Sequence, residues 1–290
     1  MMQDVLGFPV EMDEPRDLRF LRRYGSPFWV RPRPDTGTLC LGMDGSQYGR
    51  LFLKLAGLPL SGMQFAPEQA AAALAAAMPV YETLYPHPAL VKLQGHGPAA
   101  GGYAAIFRWA EGINLDPGAQ FVEEQRWIHP DSPICQLHHQ PLLTRLRMID
   151  AVFDFHAFAL QRGYLAVGFY DGNLIADFAT GLITVCGIDW YRPLPALNDW
   201  GRMPGSSRFL SPEEYTAGAP LDEITLQYTM GALAFFFFGR RESREREDWT
   251  AGEALFRVAE QACREDRAGR FSSYVDFLSA WRQAAGRTVP

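Results

Sequence analysis

The sequence predicts an α+β protein, in which an N-terminal antiparallel sheet with one inserted helix is followed by a mainly helical C-terminal part. Three observations carry this. Short alternating apolar runs separated by turn sequences fill the first third, one alanine-rich stretch interrupts them, and beyond Pro141 apolar residues recur at helical spacing. The runs Pro27–Val30, Thr38–Met43 and Leu51–Leu55, bounded by DTG and DGSQYG, read as strands of one sheet. Pro67–Met78 is nearly all alanine, with a proline and Glu68 in its first turn, both suited to a helix N-terminus. Pro79 is expected to kink or end that helix. Ala89–Leu93 and Gly102–Trp109 return to strand-like patterning, so the first 110 residues read as a sheet with one helix.

The later helices are expected over Leu142–Arg162, Leu221–Phe238, Trp249–Cys263 and Tyr274–Ala284. Tyr164–Trp190 interrupts them, because Leu174–Phe178 and Leu182–Cys186 are β-prone runs flanking the turn ATG. A small hairpin inside a helical region follows.

Composition narrows the function classes. The 290 residues, 48% hydrophobic and 21% charged, have an ordinary globular balance. A net charge of -6 leaves no basic stripe for nucleic acid. The longest apolar run, Ala232–Phe238, falls far short of the roughly 20 residues that span a bilayer, so no membrane partner and a cytoplasmic location are expected. The acidic N-terminus MMQDVLGFPVEMDEPRD has no long apolar region, and no secretory signal is expected there. Cys40, Cys135, Cys186 and Cys263 are widely spaced and read as reduced structural thiols. His129, Cys135, His138 and His139 have irregular spacing among prolines that mark a surface loop, and no metal is expected there. The run RRESREREDW, from Arg240, reads as a solvated mixed-charge face.

Several segments carry a family resemblance. GSSRFLSPE at Gly205–Glu213 resembles the protein-kinase pattern G-T-x-x-Y-x-A-P-E, LQYTMGALAFFFFG from Leu226 resembles D-x-[YW]-S-x-G with its apolar run, and DRAGRFSSYVDF at Asp266–Phe277 resembles D-P-x-x-R-P-[ST]-x-x-E-[LF]. YPHPALVKL and IFRWAEGINL resemble the stretch after the family's αC helix and its hinge. The chain is thus similar to the eukaryotic-like serine/threonine protein kinases, with a degenerate catalytic loop. The resemblance implies a bilobal protein-kinase-like fold, with residues 1–109 as the N-terminal lobe and 110–290 as the helical lobe. It also implies a buried ion pair between Glu213 and Arg270, and an activation segment containing Ser206 and Ser207.

The same resemblance implies ATP and Mg²⁺ as cofactors and a protein substrate or signalling partner. Lys54 in LFLKLAG stands where the family's phosphate-contacting lysine stands, and is expected to lie near Asp189 between the lobes. On the residues alone, a lysine within an apolar strand is either edge-exposed or matched by a charged ligand or carboxylate. The backbone of Arg108 and Ala110 is expected at adenine, with Phe107 at the pocket's gate. Aligning FALQRGYLAVGFYDGNLI with G-[IV]-x-H-x-D-[LI]-x-x-x-N matches Gly163 and Asn173, and sets Gly168 at the catalytic aspartate position. Asn173 and Asp189 are the expected magnesium ligands. Asp171 is the only carboxylate in the loop able to act as base, although YDGN is also a good turn sequence. No G-x-G-x-x-G precedes Lys54, GMDGSQYG reads as a turn between strands, Met78 stands at the αC glutamate position, and Glu68 and Glu82 are the substitutes. The expected activity is phosphate transfer from ATP to a protein hydroxyl; the alternatives are a pseudokinase without turnover and a small-molecule kinase.

Overall fold

The structure is a computed structural model that describes residues 1–47 and 49–288. The chain divides into two compact units, Met1–Pro86 with Val91–Ala110, and His87–Leu90 with Glu111–Pro290.

The first unit is built on a five-stranded antiparallel sheet. A small hairpin, β1 (Met2–Val5) and β2 (Phe8–Glu11), precedes it. The sheet comprises β3 (Ser26–Arg33), β4 (Thr38–Ser46), β5 (Gly49–Ala56), β6 (Leu93–Ala99) and β7 (Gly102–Arg108), in the order β3-β4-β5-β7-β6. Alternation along β5 separates its faces. Leu51, Leu53 and Leu55 join Leu39, Leu41 and Met43 in a core closed by Val5, Val10, Leu18 and Leu21 of the N-terminal segment. Phe52 and Lys54 take the opposite face, where helix α1 (Pro67–Leu84) packs. Phe107, the cross-strand partner of Phe52, meets the Tyr81 ring of α1 at 5.1 Å between centroids.

Two expectations are corrected here. The helix runs through Pro79 to Leu84. Pro79 is exposed, so water can meet the carbonyl it leaves unbonded, while buried Val80, Tyr81 and Leu84 hold the extra turn. The strand expected at Ala89–Leu93 begins only at Leu93 and continues through Gly95, Gly97 and Pro98. As the edge of the sheet, β6 tolerates a residue with no N–H to donate. The strand β4 extends to Ser46 and β5 starts at Gly49, so Gly42 and Gly45 of GMDGSQYG lie within β4 and Gly49 opens β5; Tyr48 lies outside the described residues.

The second unit contains β8 (Ile113–Asn114), α2 (Gln125–Ile128), α3 (Pro133–His138), α4 (Leu142–Gln161), β9 (Tyr164–Leu165), β10 (Leu174–Asp177), β11 (Leu182–Val185), α5 (Glu223–Phe238), α6 (Glu253–Ala262) and α7 (Tyr274–Thr288). The sequence expects a loop where α3 forms. Its proline opens the first turn, and Ile134, Cys135 and Leu137 are buried, which anchors a helix too short to persist alone. From Thr225 to Phe238 every residue of α5 is buried, consistent with its uniformly apolar C-terminal half. Asp222 caps it by accepting bonds from the N–H groups of Ile224 and Thr225 at 2.9 and 3.3 Å. Helices α4, α6 and α7 pack around it, with Phe153, Phe238 and Trp281 in ring contact. The β10–β11 hairpin stands at the expected place, pairing also with β8. Among the described residues no helix is long and apolar enough to cross a membrane.

Candidate functional site

In the first unit, Lys54 is half-buried on the α1 face of β5, between Cys40 and fully buried Ala105. It is not on the face closed by the N-terminal segment. Glu82 is engaged elsewhere: His96 Nε2 lies 2.9 Å from Glu82 Oε1, and His96 Nδ1 2.5 Å from the Tyr103 hydroxyl. Glu68 lies in the first turn of α1, and Met78 is buried within the helix. The hinge expectation needs one correction. The Arg108 N–H donates to the Lys92 carbonyl at 2.8 Å, so it is not available to adenine. Phe107 is buried between Phe52 and Tyr81, and Ala110 ends the unit with no backbone bond among the described residues.

In the second unit, the loop from Gly168 to Asn173 is tied to the far end of the hairpin. The Asn173 carboxamide donates to the carbonyls of Cys186 and Gly187 at 3.2 and 2.9 Å, and its oxygen accepts from the Tyr170 N–H at 2.9 Å. A single side chain thereby fixes the 170–173 turn against the backbone that leads to Asp189. Behind this segment His156 of α4 is buried, and its Nδ1 lies 2.7 Å from the Val152 carbonyl. A carbonyl can only accept, so Nδ1 carries the hydrogen and Nε2 accepts from the Tyr191 hydroxyl at 2.7 Å. Burial lowers the His156 pKa to about 4, which leaves it a neutral bolt on the Asp189 segment.

Asp171 is 0% exposed. Both of its oxygens accept from Arg208 Nη2, at 2.9 and 2.7 Å, and Oδ1 also accepts from the Gly172 N–H at 3.1 Å. Burial pushes its pKa up to about 6 against the pull of Arg208. A carboxylate that titrates near neutrality suits proton transfer, but this one is latched by a guanidinium. Arg208 lies in GSSRFLSPE, and nothing in its sequence context singles it out. Gly168 is more than a missing side chain. Its φ of +68° is left-handed, and a Cβ there would come within 3.0 Å of the Pro204 carbonyl oxygen.

Could this loop hold a magnesium ion? The donors are hard oxygens, which is the right chemistry, and the Asn173 oxygen keeps one lone pair beyond its bond to Tyr170. Asp189, which bears the carboxylate that the resemblance implies, is half-buried. Among the described residues no group of three or more His, Cys, Asp or Glu is placed to bind a metal. The four residues of the Cys–His cluster are used locally: His138 Nε2 meets the Phe236 carbonyl at 2.9 Å, His139 Nδ1 meets the Cys135 carbonyl at 2.7 Å, and the His129 ring packs on Phe121.

Glu213 and Arg270 form a buried bidentate pair, Nη1 to Oε1 at 2.7 Å and Nη2 to Oε2 at 3.0 Å. A third member, Arg267, was not expected. It donates to Glu213 at 2.7 Å and to both oxygens of Asp222, so the same guanidinium braces the cap of α5. Burial pushes the Glu213 carboxyl up, yet the bonds from Arg270 and the charges of both arginines outweigh it and hold the group below its ordinary value. Next to it, Glu214 closes a capping box by accepting from the Ser211 N–H and hydroxyl at 2.8 and 3.0 Å. Burial raises Glu214 to about 7. Ser206 is half-buried, its carbonyl accepting from the Phe209 N–H at 3.0 Å, and Ser207 is exposed.

Comparison of the chain with protein families and with curated proteins finds no match.

Proposed function

We propose that this chain is an ATP- and magnesium-dependent phosphotransferase similar to the serine/threonine protein kinases, with its two units as the lobes of a kinase-like fold. The observation that carries the reading is the bidentate Glu213–Arg270 pair, which joins residues far apart in sequence that only the resemblance links. The tie from Asn173 to the segment before Asp189 adds to it, because two oxygen-bearing side chains are brought to one end of the hairpin. In this reading Lys54 steadies the nucleotide phosphates, and Asn173 and Asp189 hold magnesium. Bound magnesium would neutralise charge on the transferring phosphoryl group. Asp171, once released from Arg208, takes the proton of a substrate protein's hydroxyl.

One observation favours the pseudokinase alternative. Asp171 is buried and latched, and Gly168 sits where an aspartate has no room without movement.

A thermal-shift titration with ATP and magnesium, followed by assay of labelled phosphate transfer, separates the two. The enzyme reading expects a raised melting temperature and measurable transfer. Asp171→Asn should then lower turnover by about 10²–10⁴-fold with ATP affinity unchanged. Asp189→Asn should weaken magnesium-nucleotide binding itself. Binding without transfer would leave the nucleotide-binding pseudokinase, and no binding would end the enzyme reading and leave only a structural signalling module.

A further inference from the structure

Most of the charged run after α5 is exposed, as its sequence suggests, but one arginine departs from that face. Arg244 is half-buried, with its guanidinium 4.9 Å above the Tyr228 ring. Nη1 donates to the Tyr228 hydroxyl at 2.9 Å and Nη2 to the Arg208 carbonyl at 3.2 Å. Both partners are neutral, and no ion pair to Arg244 occurs among the described residues. A guanidinium with only neutral partners keeps its charge available to an anion.

Two further arginines converge on the same place. Arg208 spends Nη2 on Asp171, while its Nε and Nη1 make no hydrogen bond among the described residues. Its side chain is 22% exposed and lies over Phe209 at 5.0 Å. Arg241 is exposed and makes no ion pair among the described residues. With Arg244 these line a cavity of about 140 Å³, walled on its apolar side by Trp127 and Phe236 and carrying Ser207. Glu242 is the only carboxylate on the lining, and it is already bonded to Arg126 at 2.9 Å.

We infer that this cavity is an oxyanion pocket that takes a phosphate group, as free phosphate or as a phosphate monoester. Its volume lies below the roughly 300–1,000 Å³ of pockets that enclose a whole organic ligand, so it suits a single small group. Guanidinium donors arriving from three backbone positions match an anion with several oxygens better than a planar carboxylate, which one arginine can satisfy. A neighbouring cavity of about 710 Å³ shares Trp127, Arg241 and Glu242, which gives the remainder of a monoester somewhere to lie. The pocket stands independently of the phosphotransferase reading. Where that reading holds, an anion drawing on Arg208 would loosen the latch on Asp171.

Calorimetric titration of the full chain at constant ionic strength tests the inference, with inorganic phosphate, a phosphoserine peptide and its unphosphorylated counterpart as probes. One saturable site is expected for phosphate, with affinity reduced about tenfold or more in Arg241→Ala and in Arg208→Gln, since each removes a charge-assisted bond. Arg244→Lys should retain part of the binding. Arg240→Ala, an exposed neighbour that lines only the larger cavity, should leave free phosphate within about twofold, because distant surface charge is screened. Should Arg208→Gln or Arg244→Lys fold poorly, exposed Arg241 still decides. Tighter binding of the phosphopeptide than of phosphate supports a monoester as the ligand; equal affinity supports free phosphate. Absence of saturable binding, equal loss in Arg240→Ala and Arg241→Ala, or binding unchanged in the Arg208, Arg241 and Arg244 variants would overturn it.

Discussion

Two buried carboxylates of the second unit are treated in opposite ways. Glu213 meets two guanidinium groups in a bidentate and a single-bonded arrangement, and its charge is held below the ordinary carboxylate range. Asp171 meets one guanidinium nitrogen shared between its oxygens, and burial wins, raising it to about 6. An anchor differs here from a latched acid. Where two guanidinium groups hold the carboxylate, the pair fixes a joint between residues 213–215, the cap of α5 and the approach to α7. Where one guanidinium nitrogen and one backbone N–H serve a fully buried carboxylate, burial outweighs them.

The comparison is broken most severely at the anchor. Arg270→Leu should cost about 3–5 kcal/mol in denaturant unfolding, since it strands the buried Glu213 charge beside only the partly exposed Arg267. Stability equal to wild type would remove Glu213 from the role of anchor.

A smaller effect sharpens the contrast within the same segment. Glu214 is raised from 4.5 to about 7, so the folded protein holds a proton there that the unfolded chain has released. Its stabilising contribution is complete below about pH 4.5 and is lost as pH rises through about 7. Glu214→Gln should therefore match wild type near pH 4.5 and exceed it by roughly 2–3 kcal/mol at pH 8. Parallel stability curves for the two proteins across that range would contradict it.

The smallest effect lies in the loop. Introducing an aspartate by Gly168→Asp should destabilise by about 1–3 kcal/mol and confer no activity, because a left-handed residue would carry a side chain against Pro204. A variant that gains phosphate transfer at unchanged melting temperature would show the loop to be more accommodating than its packing implies.

The elements of this chain were legible because their signals are local. Alternation in Leu51–Leu55 specifies a strand and its buried side, while the alanine run after Pro67 and the apolar run ending at Phe238 each specify a helix. Where the reading missed, the deciding interaction was distant. Pro79 sits inside α1 because the following turn finds a core, and α3 forms because four of its side chains are buried by neighbours. The candidate site divides the same way. Asn173 and Arg270 could be marked by the family resemblance, but Arg208 and Arg267 could not, since an arginine in a polar context gives no sign of which carboxylate it will reach.

By itself the sequence determined the α+β order and the hairpin between helices, both fixed by side-chain periodicity and turn chemistry over a few residues. Only the tertiary structure decided what the charges do. An ion pair is set by distance and dielectric, and both depend on which distant segment supplies the partner and how much water is excluded. Hence Glu213 became an anchor, Asp171 a latched acid, and Arg244 a cation in search of an anion.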